Sequence, residues 1–109
     1  MPLLTDANFE RDIKNGVSVV RFISLWSMDS RAFEDQFREL SEDFRGKAKF
    51  IVSDINANHL LAKKESITKI PTVMIYVNGA PVAKIADTTK RRLRENVNYF
   101  LEKYSSSML

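Results

Sequence analysis

The chain contains no cysteine among its 109 residues. Disulfide formation, thiolate ligation of a metal and thiol–disulfide exchange all need sulfur as nucleophile or ligand, so none of them lies within its own chemistry. For the same reason the chain says nothing about the redox state of its compartment. There is one histidine, His59. A zinc site is not expected with one imidazole and no thiolate, and no metal or other cofactor is expected. The sequence lacks an apolar run of about 18 residues, which argues against a membrane span. Its start, Met1-Pro2-Leu3-Leu4-Thr5-Asp6, has neither a basic stretch nor a long apolar one, so it does not read as a secretory signal, and a cytoplasmic location is expected. Strong charge is missing too. A formal net charge of +3 weakly favours acidic partners and is no nucleic-acid signature.

What is present is an ordinary globular composition, 44% hydrophobic and 28% charged, of a length that predicts one domain over residues 1–109 with no repeat or linker. Leu3-Leu4 opens a short edge strand. Thr5 reads as the N-cap of a helix with Phe9 and Ile13 on one face, ended by Asn15-Gly16. Val17 to Leu25 is apolar and β-branched, as in a strand buried on both faces. From Asp29 to Arg45 the period becomes helical: Phe33, Phe37, Leu40 and Phe44 form a stripe, and Gly46 closes the helix.

Lys49 to Ile55 reads as a second buried strand, and Ala57 to Glu65 as a short helix with Leu60 and Leu61 inward. Thr72–Val77 and Val82–Ala86 flank Asn78-Gly79, a two-residue hairpin signal, because a type I′ turn needs positive φ at both central residues. Pro81 suits an edge strand. A last helix over Thr88 to Tyr104 turns Leu93, Val97, Phe100, Leu101 and Tyr104 inward, and Ser105-Ser106-Ser107 reads as a frayed tail. The order β-α-β-α-β-α-β-β-α predicts an α/β fold with a mixed sheet.

One arrangement makes that expectation specific. Trp26-Ser27-Met28-Asp29-Ser30 stands between an apolar strand and an amphipathic helix, and Ile70-Pro71-Thr72 precedes the hairpin. Together with Leu4-Thr5-Asp6, Asn8-Phe9 and the last amphipathic helix, this resembles the thioredoxin family over nearly the whole chain. The resemblance implies the thioredoxin fold, a mixed central β-sheet flanked by helices on both faces. It places Ser27 and Ser30 at the family's two catalytic cysteine positions, where serine is inactive in disulfide chemistry. It also implies a cis peptide bond at Pro71, where the residues alone would read as a turn that starts a strand. The peptide groove it implies comprises Trp26, Met28, Asp29, Ile70, Pro71, Thr72 and, as a third wall, Ala86 within Ile85-Ala86-Asp87, which lacks the family's glycine.

Three departures bear on activity. Met28-Asp29 replaces the usual Gly-Pro. The buried aspartate and neighbouring-strand lysine that the family uses to manage protons correspond to Arg21 and Val52. An arginine there needs a carboxylate or a path to solvent, and Asp29 and Asp54 are the candidates. His59 aligns away from the Ser27 turn, so a serine hydrolase is a poor reading. Ser27 also has a structural reading as a helix cap, with Asp29 complementing the dipole. An engineered pair of serines accounts for Ser27 and Ser30 only, whereas natural loss of redox function accounts for all the departures together.

The expected function is a redox-inactive thioredoxin-like protein that binds a protein or peptide through the groove near Trp26, as a monomer or weak dimer. The alternative is a thioredoxin-type disulfide reductase with both cysteines replaced by serine. A third reading puts the contact on Lys90-Arg91-Arg92-Leu93-Arg94, a basic cluster that is either a solvated face or a docking patch. No aromatic platform stands beside it, so nucleic acid is not the expected partner.

Overall fold

The computed structural model describes residues 7–24, 33–68, 70, 72–85 and 89–108, with side chains as far as Tyr104 in the last stretch. The elements run α1 (Phe9–Ile13), β1 (Val17–Ile23), α2 (Glu34–Asp43), β2 (Ala48–Asp54), α3 (His59–Lys64), β3 (Thr72–Val77), β4 (Ala80–Ile85) and α4 (Lys90–Met108). The strand expected at Leu3-Leu4 and the cap expected at Thr5 lie outside the described residues.

Among the described residues the strands form a four-stranded mixed sheet in the order β2-β1-β3-β4. β1 pairs parallel with β2 and antiparallel with β3, and β3 pairs antiparallel with β4. As expected of a strand buried on both faces, β1 feeds two cores. Val17 and Val19 join Phe33, Phe37, Leu40, Phe44, Leu93 and Val97 under α2 and α4. Val20 and Phe22 join Phe9, Ile13, Leu61, Met74 and Tyr76 under α1 and α3. Helices therefore cover both faces of the sheet, and the alternation of β1 is the reason.

The aromatic stripe of α2 packs as its spacing predicts. Phe50 of β2 meets Phe37 edge-on at 5.2 Å and stacks with Phe44 at 5.8 Å. The α4 residues Leu93 and Val97 are buried, with Phe100, Leu101 and Tyr104 packed against the same core. Asn78 and Gly79 both take positive φ, 51° and 87°, as the two-residue turn demands. Asn78 also ties the hairpin to the α1–β1 turn: its Oδ1 accepts from the Gly16 N–H at 2.8 Å, and its own N–H donates to the Gly16 carbonyl at 2.9 Å.

Three expectations are corrected. Leu60 is 62% exposed, and only Leu61 faces the sheet. A six-residue helix advances about 100° per residue, so two consecutive leucines cannot share its narrow buried stripe. β4 begins at Ala80 rather than Val82: the ladder continues through Tyr76 against Pro81 and Val77 against Ala80, and a register shift between Ile75 and Tyr76 leaves Val82 as the extra residue. Finally, the backbone of Ser105–Ser107 continues α4 instead of forming a tail.

The basic cluster opening α4 also finds an explanation. Lys90 pairs with Glu39 and Arg94 with Asp43, both on α2, while Arg91 pairs with Glu95 one turn on. Cations at a helix N-terminus oppose its dipole, and carboxylates from the neighbouring helix offset that cost. The Thr89 hydroxyl accepts the Arg92 N–H at 3.2 Å and caps the helix.

Candidate functional site at one end of the sheet

β1 ends at Ile23, β3 begins at Thr72 and β4 ends at Ile85. The register sets Phe22 against Thr72, and Val73 against both Arg21 and Ile85. These three termini are therefore neighbours at one end of the sheet. The segment carrying Trp26, Ser27, Met28, Asp29 and Ser30 follows the first, Ile70-Pro71 precedes the second, and Ala86 follows the third. Of the expected site residues, Trp26, Ser27, Met28, Asp29, Ser30, Pro71 and Ala86 lie outside the described residues. Ile70 is half-buried, and Thr72 is buried at the start of β3.

This end of the sheet has an unusual interior. Five polar or charged side chains are buried among the described residues, and four of them, Arg21, Ser24, Ser53 and Thr72, stand here. Buried polar groups need partners. Asn56, just past β2, donates from Nδ2 to the Ser24 hydroxyl at 2.5 Å, and the Ile55 N–H donates to the Ile23 carbonyl at 2.8 Å. The exit of β1 is thereby anchored to the β2–α3 loop. Nothing in the spacing of Ser24 and Asn56 announces that contact.

Arg21 is 2% exposed. In the parallel pair it lies directly opposite Val52, so the two positions that resemble the family's acid and lysine are adjacent. Its guanidinium sits 5.8 Å from the centroid of Phe33 and 6.0 Å from that of Phe37. Burial lowers its pKa from the ordinary value, and Glu34 at the start of α2 opposes that shift. Among the described residues Glu34 is thus a carboxylate that supports it, while Asp29 lies outside them. The aromatic faces supply part of what water would give, since a cation over a ring is favoured by about 0.5–2 kcal/mol.

On the other face of β3, Tyr76 is buried against Phe9, with ring centroids 5.5 Å apart. Its hydroxyl donates to Met74 Sδ at 3.5 Å. Burial holds that hydroxyl well above the ordinary tyrosine range, and the nearby Glu65 carboxylate adds to the shift. Among the described residues no group of His, Asp or Glu is placed to hold a metal ion, and no helix is long and apolar enough to cross a membrane.

A mixed sheet of this order with helices on both faces defines a thioredoxin-fold protein. The Thioredoxin family model matches residues 1–99, and the chain belongs to the thioredoxin family. It is 31% identical over 101 residues to the thioredoxin of Staphylococcus saprophyticus, covering 93% of this chain and 94% of that one. The thioredoxin of Staphylococcus aureus strain MW2 is 30% identical over the same coverage. The solved structure of Fasciola hepatica thioredoxin superposes with a TM-score of 0.83 at 25% identity, covering 91% of this chain and 98% of that one.

Proposed function

We propose that this chain is a redox-inactive member of the thioredoxin family, a single domain over residues 1–109, that binds a protein or peptide through the groove near Trp26 and the Ile70-Pro71 loop. The observation that carries the reading is that the losses extend behind the turn. The chain has no thiol at all. Beyond that, Arg21 and Val52, adjacent across β1 and β2, replace the pair that would manage protons for a resolving thiol. A guanidinium cannot act as a base near neutral pH, and valine has no proton to give. Peptide binding needs neither group. An extended peptide is held by backbone hydrogen bonds beside the loop and by side-chain anchors, and Trp26 is the anchor. The protein would act in the cytoplasm, as a monomer or weak dimer.

Partner capture by the intact chain and by Trp26→Ala, with thermal unfolding of both, tests the reading. We expect Trp26→Ala to weaken capture by about 1–3 kcal/mol. Charge reversal at Arg91 and Arg92 should alter mainly salt dependence and on-rate, because exposed charges steer more than they hold. Unchanged affinity with a large loss of stability would make Trp26 a packing residue and end the groove reading. The names of the curated relatives favour a second reading, a disulfide reductase whose two cysteines have become serine. Restoring both cysteines and assaying insulin reduction separates the two.

A further inference from the structure

The α3–β3 connection is fastened in two layers. α3 ends in a two-bond cap: the Ser66 N–H donates to the Lys63 carbonyl at 3.1 Å, and the Ile67 N–H to the Ala62 carbonyl at 2.9 Å. Ser66 takes φ +55°, the left-handed conformation that such a cap requires and that a residue with a Cβ adopts at a cost. That cap serves the Ala62 and Lys63 carbonyls but not those of Glu65 and Ser66. The ammonium of Lys84 serves those: its Nζ donates to the Glu65 carbonyl at 2.9 Å and to the Ser66 carbonyl at 2.7 Å. A cation at the C-terminus of a helix is also favoured by the helix dipole.

Lys84 is one residue before the end of β4, opposite Met74. Its side chain therefore joins two chain segments that converge on the groove. One is the connection running from Ser66 to Ile70, and the other is the strand end leading to Ala86. Both segments are short. We propose that Lys84 is a positioning residue that fixes the Ile70 loop relative to the end of β4 and so sets the spacing between two walls of the groove, an inference that rests on the groove reading above. The specificity of the device lies in its geometry. A flexible four-carbon stem delivers one compact charge to two adjacent carbonyls, a task a neutral side chain of the same length cannot perform.

Amide hydrogen exchange of the full chain, with acrylamide quenching of its single tryptophan, Trp26, tests this without any partner. Lys84→Met keeps the stem and removes the ammonium. We expect the amides of Ile67, Thr68 and Ile70 to exchange about tenfold faster, those of Val19, Val20 and Ile75 to be unchanged, and quenching of Trp26 to rise. Lys84→Arg, which restores a cation, should return exchange and quenching to the values of the intact chain. A uniform rise in exchange would make Lys84 a contributor to global stability only. Faster loop exchange with unchanged Trp26 quenching, or no rescue by arginine, would equally overturn the proposal. Because no partner is used, these failures are distinct from loss of the groove reading, which the Trp26→Ala capture experiment decides.

Discussion

The two ends of the sheet are built by different rules. At the Asn78-Gly79 end the turn is tied down by backbone geometry: the hairpin takes its two positive φ values and exchanges two hydrogen bonds with Gly16, and Ser18 is the one buried polar side chain there among the described residues. Below it lie Val17, Phe44 and Val77. At the opposite end the interior holds Arg21, Ser24, Ser53 and Thr72, and three strand termini release the segments that carry Trp26, Ile70-Pro71 and Ala86. A fold under selection for stability alone would fill both ends with aliphatic side chains, since burying a polar group is costly unless it is compensated. The contrast sets the end that carries the proposed groove apart from the rest of the sheet.

That contrast makes graded predictions for stability. The largest loss is expected in the apolar body: Leu40→Ala should cost about 2–5 kcal/mol, because it removes a fully buried side chain and leaves a cavity. Denaturant unfolding measures it. Next comes the Asn78-Gly79 end. Asn78→Ala removes the acceptor for the Gly16 N–H and puts alanine at positive φ, and should cost about 1–2 kcal/mol.

The polar end should respond less. Arg21→Met should leave stability within about 1 kcal/mol of the intact chain, because a buried cation carries a desolvation cost that an aliphatic chain of similar length does not. The sign of the pH dependence follows from its lowered pKa. The cost of burying the cation is present below the folded-state pKa and is relieved only as pH rises through it. Because a guanidinium keeps its proton in proteins, the difference between Arg21→Met and the intact chain should be flat from about pH 5 to 9. A loss above about 2 kcal/mol would place Arg21 with the structural residues and erase the contrast. The smallest effect belongs to the α2–α4 ion pairs: Arg94→Ala should cost at most about 0.5 kcal/mol, and less in high salt, since Arg94 and Asp43 both remain substantially exposed.

Much of this architecture is legible in the sequence because it is written in local periodicity. The apolar run of β1, the four-residue stripe of α2 and the turn at Asn78-Gly79 each specify an element within a few residues. The misreadings arise where a local pattern leaves a choice that tertiary contacts make. Leu60 and Leu61 are equally apolar, and only the short helix against the sheet decides which one is buried. The start of β4 depends on a register shift at Val82 that only its partner strand reveals. The candidate site is expected by resemblance alone, and of its residues only Ile70 and Thr72 lie among those described. Its support is not legible in the sequence, since the Ser24–Asn56 bond, the rings around Arg21 and the Lys84 clasp join residues far apart in the chain with no motif between them.

The central claim is that the loss of redox function reaches behind the two serines to the adjacent Arg21 and Val52. Insulin reduction by Ser27→Cys/Ser30→Cys, alone and combined with Arg21→Asp/Val52→Lys, tests it most directly. The intact chain should give no turnover. The double variant should be feeble, and the quadruple variant should recover a substantial part of the roughly 10²–10⁴-fold that positioned acid–base groups supply. Full thioredoxin-like turnover in the double variant would contradict the account, because it would leave Arg21 and Val52 without consequence for the chemistry.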